Sequence, residues 1–389
     1  MVYSLEELFD LQMGKTPSRN NFNYWNTNDN KWVSISDLSQ SGRYIHETKE
    51  YISDDAIAES GIKVIPANTV IMSFKLSIGK VAITKEEMYS NEAIMAFHDK
   101  HTTELLPEYI YYLFRNKDWS IGTNKAVMGK TLNKATLSQM KISVCSIQKQ
   151  REIVSVLNKV SEIIDNMKDQ IFALDELIKS RFVEMFGDML LNTMGWDESS
   201  LESIAEIVSG ISKGRKVKNI NLREVPYMAV SNVKDGYIDW TTIKTIMATE
   251  QEIEQYRLMP NDILMTEGGD PDKLGRGAII KEPMENSIHQ NHIFRVRLNG
   301  ELILPMFFEE YLQHQKAKRY FLRCAKQTTG IASINMKQLR ALPVLIPPLE
   351  LQNQFATFVH QIDKLKLTAK ESLKKLEIMQ KALMQQYFC

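Results

Sequence analysis

From Gln148 to Phe186 the apolar residues step by threes and fours, through Ile153, Leu157, Val160, Ile164, Met167, Ile171, Leu174, Ile178 and Met185. A repeat of about 3.5 residues predicts a coiled-coil seam; no Pro or Gly interrupts it, and Gly187 supplies the stop. A second seam runs from Glu350 to Phe388 through Phe355, Phe358, Ile362, Leu365, Ala369, Leu373, Leu376, Met379, Leu383 and Tyr387. Pro347 and Pro348 stand just before it, where they leave its hydrogen-bond ladder intact. Either helix alone would leave its stripe in water, so the pattern predicts that the two pack together. The chain must leave one helix end and return to the other, which favours an antiparallel pair.

Elsewhere the pattern changes to short strand-like runs bounded by Gly, Pro or Asn: Lys31 to Leu38, Thr69 to Phe74, Lys80 to Thr84, Tyr227 to Val233, Asp262 to Thr266, Gly277 to Lys281 and His292 to Leu298. Amphipathic helices are predicted after Pro107 (Glu108 to Asn116) and Pro305 (Met306 to Phe321). These runs occur twice in the same order. Ser4-Leu5-Glu6 answers to Ser200-Leu201-Glu202, Trp32 to Leu38 to Tyr227 to Val233, and Val70 to Ser73 to Ile263 to Thr266. Ile78-Gly79-Lys80 answers to Leu274-Gly275-Arg276, Leu106-Pro107 to Leu304-Pro305, and Leu132-Asn133 to Ile334-Asn335. The copies have diverged and are longer than any solenoid repeat. The predicted fold class is α+β: two pseudo-symmetric α/β units separated by two long helices that form an antiparallel coiled coil. Such a molecule suits a two-part target.

A chain of 389 residues is long enough for two or three cores. No apolar run approaches the roughly 18 residues that cross a membrane, and Met1 to Glu7 carries acids where a signal peptide needs cations. Cys145, Cys324 and Cys389 have no metal-like spacing and fit a reducing cytoplasm. The 20 methionines fall mostly at seam or core positions. Net charge is zero, but its distribution is not even. Between Trp119 and Arg151, and again between Tyr311 and Leu349, there is no Asp or Glu, yet Lys and Arg are frequent in both. Two acid-free basic runs at matching places suggest a shared polyanion track.

The motifs of a catalyst are absent. The one Pro-Pro, in Ile346-Pro347-Pro348-Leu349, lacks the amide and aromatic ring of an adenine methyltransferase loop. Gly210 to Arg215 lacks the Gly-Lys-Ser/Thr ending of a phosphate-binding loop. Gly275-Arg276-Gly277 has no third glycine. His289 and His292 lie three apart on an extended segment, so they face opposite sides and do not share a metal. The chain reads as a binder that holds no cofactor of its own.

Glycines in Glu267-Gly268-Gly269-Asp270 let a backbone approach a surface closely. Gln and Asn pair bidentately with adenine, Lys and Arg with guanine or phosphate, and Glu or Asp accept from cytosine. Candidate base readers are therefore Glu267, Asp270, Lys273, Arg276, Gln290 and Asn291 in the second half, and Ser73, Lys75, Lys80 and Asn91 in the first. Candidate backbone contacts in the first half are Lys15, Ser18, Arg19, Lys125, Lys130 and Lys134. In the second half they are Lys213, Arg215, Lys216, Lys218, Lys316, Lys318, Arg319, Arg323 and Lys326.

On these features the whole chain resembles the specificity subunit of type I restriction–modification systems. Two globular units alternate with two long helices. Arg181 to Asp188 looks like that family's junction into its second unit, and Ile334 to Leu349 with Gln352 like its approach to the last helix. Cys145-Ser146-Ile147-Gln148 departs from the Pro-Pro-Leu-Glu start expected of the first helix. The resemblance implies target-recognition domains at 1–147 and 188–348, with conserved helices at 148–187 and 349–389. It also implies a cytoplasmic, prokaryotic, non-catalytic subunit that binds a bipartite site on double-stranded DNA and no membrane. Two methyltransferase subunits would carry S-adenosylmethionine, and restriction subunits would use ATP and Mg. The other reading is a coiled-coil adaptor whose globular heads bind protein.

Overall fold

A computed structural model describes residues 1–25, 27–75, 77–119, 132–215, 221–269, 274–328 and 331–388. The chain forms two compact units. One is Met1–Lys168 together with the C-terminal stretch from Glu371; the other is Asp169–Lys370. The two long helices, Ile147–Phe186 and Leu349–Phe388, are 40 residues each. Each contributes one part to either unit, so the helices are not spacers outside the units but pieces of both cores.

In the first unit a five-stranded sheet runs in the order Phe9–Met13, Ile94–Asp99, Val70–Ser73, Val81–Thr84, Tyr44–Ile45. A three-stranded sheet (Glu50–Ile52, Asn30–Val33, Tyr89–Ser90) lies next to it in sequence. The second unit repeats the first four strands of the larger sheet as Ala205–Ser209, Ile293–Leu298, Ile263–Thr266 and Gly277–Ile279. It repeats the smaller sheet as Lys244–Ala248, Arg223–Met228 and Ile288–His289. The central strands read as unbroken apolar runs because both faces are covered. Val70 and Met72 enter the core beneath the Pro107–Asn116 helix, while Ile71 enters a second cluster with Val33, Leu38 and Ile45. Ile263 and Met265 divide from Leu264 in the same way. Alternation of side chains along a strand produces both cores from one sequence.

Each long helix is anchored by a buried glutamine near its start. The Gln150 amide accepts from Leu106 N at 3.0 Å and donates to the carbonyls of Glu104 and Cys145 at 2.9 and 3.0 Å. Gln352 accepts from Leu304 N at 2.8 Å and donates to those of Leu302 and Pro347 at 3.0 and 2.8 Å. Three satisfied bonds make a fully buried amide tolerable. In the first unit the end of the last helix packs beside the start of the central one, with Gln380 Nε2 donating to Ser161 Oγ and Phe388 against Tyr109. In the second, the end of the central helix meets the start of the last, where Phe182 and Phe186 lie against Phe355 at 5.4 and 5.5 Å. Both pairings are antiparallel, as the seams predict. Gly187 ends the central helix with φ +75°, where a Cβ would stand 2.6 Å from Thr193 Oγ1.

Four expectations are corrected. The run Lys31 to Leu38 is a strand only to Val33, because Ser34 and Asp37 form a reciprocal cap that starts the helix Ile35–Gln40. Tyr227 to Val233 likewise gives way after Met228 to a tight turn, closed by Asn232 accepting from Ala229 N at 3.0 Å. The helix expected from Met306 to Phe321 is two, Pro305–Gln313 and Gln315–Cys324, broken at His314 by extended backbone. The last seam also departs from its pattern: Leu365 and Met379 are exposed, and Lys366 reaches Asp175 instead.

Candidate nucleic-acid interface

The sequence candidates converge on the same main-chain frame in both units. Gly14 N donates to Ile94 O, Lys15 N to Ser90 O, Ser73 N to Lys80 O and Phe74 N to Ala93 O. In the second unit Gly210 N donates to Ile293 O, Ile211 N to His289 O, Thr266 N to Arg276 O and Glu267 N to His292 O. A Cβ on Gly14 would lie 2.2 Å from Asn91 O, and one on Gly210 2.0 Å from His289 O. Glycine at both places is a requirement of the crossing. Gly79 and Gly275, both at positive φ, pack under Trp119 and Phe321 and set the turns that carry Lys80 and Arg276.

Within this frame the base-reading candidates separate. In the second unit Glu267, Arg276, Gln290 and Asn291 are brought together, each half-buried. The Gln290 oxygen accepts weakly from Val230 N at 3.4 Å, and Glu267 meets the His292 imidazole. His289 is enclosed, and burial lowers its pKa to about 4; His292 faces outward, so the two histidines do lie on opposite sides. In the first unit Asn91 accepts from Ala93 N at 3.0 Å, Lys75 lies 5.2 Å over the Phe74 ring and Lys80 is exposed. Ser73 is fully buried, donating to Ser77 O and accepting from Lys80 N, so its hydroxyl braces a loop and faces no ligand. Asp270 and Lys273 lie outside the described residues.

The backbone candidates divide as well. Arg19 stacks on Trp25 at 3.7 Å and bonds both oxygens of Glu50. Arg215 holds Glu252 at 2.6 and 2.7 Å, which keeps that carboxyl below its usual range. These two arginines fasten their loops to the small sheet or its following helix. Lys316 is largely buried and paired with Glu198 at 2.6 Å: a stretch without acids in sequence meets acids from elsewhere in space. Lys15 reaches the Ser60 carbonyl. Lys134 opens a short helix from its exposed side, and Ser18 and Lys213 are exposed. Lys318 is half-buried, whereas Arg319, Arg323 and Lys326 are exposed. Lys326 begins a strand whose partner, Ile331–Ser333, pairs in turn with Gly268–Gly269, so one three-stranded sheet holds Lys326 and the glycine pair. Lys125, Lys130, Lys216 and Lys218 lie outside the described residues.

Sequence reasoning missed several roles. Thr16 donates to Glu92 and holds that carboxyl below its usual range. Gln150 carries the same anchor as Gln352, and the matched position of the two glutamines was the available signal. Arg295 is buried beneath the large sheet, bonded to Glu206 and to the carbonyls of Gln255 and Arg257, while Arg297 chelates Asp262. No periodicity announces such a network.

Fold and candidate site together define a chain of two units built on one plan. The chain matches the family described as the type I restriction modification DNA specificity domain over residues 1–175 and 194–378, and it belongs to that family. It is 26% identical over 254 residues to the type I restriction enzyme MjaIX specificity subunit of Methanocaldococcus jannaschii, an alignment covering 60% of this chain and 58% of that one. It is 20% identical over 349 residues to the EcoKI specificity subunit of Escherichia coli, covering 83% and 73%. The chain thus spans less than two thirds of the first of these relatives. Its fold is that of a solved chain from a study of complex assembly in the type I R-M system, with TM-score 0.61, 15% identity and coverage of 100% and 97%. It is also that of the S subunit of a type-I restriction-modification system from M. genitalium, with TM-score 0.54, 16% identity and coverage of 100% and 96%. Among the described residues no helix is long and apolar enough to cross a membrane.

Proposed function

We propose that this chain is the DNA-recognition subunit of a type I restriction–modification complex, reading a bipartite target with one unit per half-site. The observation that carries the reading is the repeated frame: the same glycine crossings and turns present different side chains in the two units. Membership of the specificity-domain family supports it. The subunit itself is non-catalytic. It positions two cytoplasmic methyltransferase subunits, which carry S-adenosylmethionine, and joins restriction subunits that use ATP and Mg.

The test is an assembled complex of this chain with its methyltransferase subunits, incubated with genomic DNA and mapped for methylation. One bipartite motif with a fixed unread gap is expected. The isolated chain should shift DNA in a salt-dependent manner and transfer no label from S-adenosylmethionine. Binding without salt dependence, or transfer by the isolated chain, would overturn the reading.

A further inference from the structure

The side chains of Glu267, His292 and Asn291 form a chain that has no counterpart among the described residues of the first unit. Glu267 Oε2 meets His292 Nδ1, and His292 Nε2 stands 3.3 Å from Asn291 Nδ2. In the neutral imidazole the proton sits on Nδ1, facing the carboxylate that can only accept, and Nε2 keeps a lone pair toward the Asn291 amide nitrogen. That lone pair is satisfied by an N–H, which requires the Asn291 amide to turn its nitrogen toward the ring. One Nδ2–H and Oδ1 are then left over, and they make no further hydrogen bond among the described residues. The main chain on either side is already fixed: Asn291 N donates to Ile211 O at 3.1 Å, and its carbonyl accepts from Ser209 Oγ at 2.7 Å. Glu267 N is bound to His292 O at 3.0 Å. The amide's own rotation is the remaining freedom, and the imidazole removes it.

We propose that His292 is a positioning residue for base recognition: pinned by Glu267, it fixes the Asn291 amide with one donor and one acceptor outward, the pattern complementary to adenine. Asn291 Oδ1 then accepts from the adenine amino group, and Nδ2–H donates to N7. Guanine offers two acceptors on that edge and sets one of them against Oδ1. Phe74 and Ala93 occupy the matching backbone positions of the first unit, so the device serves one half-site. The proposal rests on the DNA-recognition reading above.

The experiment uses the assembled methyltransferase complex, methylation mapping, and binding to duplexes in which single base pairs of the mapped site are exchanged. The wild type is expected to prefer adenine at one position of one half-site by roughly tenfold to a hundredfold over guanine. His292→Ala should reduce that preference to less than about threefold, as Asn291→Ala does, while the other half-site and the gap stay unchanged. His292→Gln, whose amide can donate to Glu267 and accept from Asn291, should restore the preference, which a merely structural role would not do. If the wild type recognises a bipartite site and His292→Ala leaves every position as selective as before, or weakens both half-sites alike, this proposal fails alone. If the wild type recognises no bipartite site, the DNA-recognition reading fails with it.

Discussion

Glu267 and His292 share a hydrogen bond in the second unit, whereas the residues in their places in the first, Phe74 and Ala93, have no polar side chain to share. The main chain beneath them is the same: Phe74 N donates to Ala93 O at 2.9 Å, and Glu267 N to His292 O at 3.0 Å. Asn91 and Gln290 sit alike, each donating its N–H to the strand before it, Val33 in one unit and Met228 in the other. Glycine, the buried glutamine and the strand order are kept because a Cβ or a lost anchor has no room to be absorbed. Side chains on the outer edge have no such constraint. Two units on one frame can therefore present different side chains at matching places.

The frame should break before the reading does. Deleting seven residues from the central helix alone shifts its seam against the last helix in both units, and is expected to abolish cooperative unfolding, followed by circular dichroism. Deleting matched heptads from both helices keeps the seam and removes about 10.5 Å of rise. In the assembled complex this should shorten the unread gap by about three base pairs, read by methylation mapping; an unchanged gap would show that the helices do not set it. Gly14→Ala or Gly210→Ala should each destabilise the chain by on the order of 3 kcal/mol in urea unfolding, since the new methyl meets a main-chain oxygen. An effect in one unit only would show that the crossings are not equivalent.

The units should also differ in their response to pH. Glu309 stands four residues after Pro305, where the first unit has Tyr111 four after Pro107. Burial pushes the Glu309 carboxyl up to about 7, although Ile279 N donates to it at 2.8 Å. The folded chain thus holds a proton that the unfolded chain releases, so the stability from Glu309 is full below about pH 4.5 and is lost as pH rises through 7. Glu309→Gln keeps the acceptor and cannot ionise. It should gain about 3 kcal/mol over the wild type at pH 8, and nothing near pH 4.5, in urea unfolding. His289 acts in the opposite sense. Burial lowers it to about 4, so its contribution is present above its unfolded value and is lost as pH falls through 4. Ser90, which takes the place of His289 in the first unit, does not titrate.

What could be read from the sequence followed from period and order. The seams placed both long helices to within a residue or two, because a stripe repeated over 40 residues admits little else. The landmarks Ile78-Gly79-Lys80 and Leu274-Gly275-Arg276 proved to be the same turn under Trp119 and Phe321. Strand ends were less legible: Ser34 and Asp37 divert the chain into a helix by a local cap that outweighs the apolar alternation around it. The candidate residues fall close together in the second unit, but the partners each side chain makes were not legible in the sequence. Arg19, Arg215 and Lys316 look free in sequence, but Glu50, Glu252 and Glu198 arrive from distant segments.

The smallest expected effect separates the cations that remain exposed from the residues proposed to read bases. Arg319 and Arg323 lie one turn apart on the helix Gln315–Cys324, and Lys326 follows in a strand paired with Ile331–Ser333, which in turn pairs with Gly268–Gly269. Among the described residues none of the three meets a carboxylate of the kind that holds Arg215 or Lys316, so each is expected to be available to a phosphate. Neutralising all three to Gln should weaken binding to every duplex alike and reduce the slope of log K against log salt by about three. Half-site preferences should be untouched. Gln290→Ala should do the reverse, relaxing one position by roughly 1–3 kcal/mol with little change in salt slope. Binding isotherms over a range of salt, on cognate and scrambled duplexes, distinguish the two. If the triple variant altered sequence preference, or Gln290→Ala altered the salt slope as strongly, the division between backbone track and base-reading edge would be wrong.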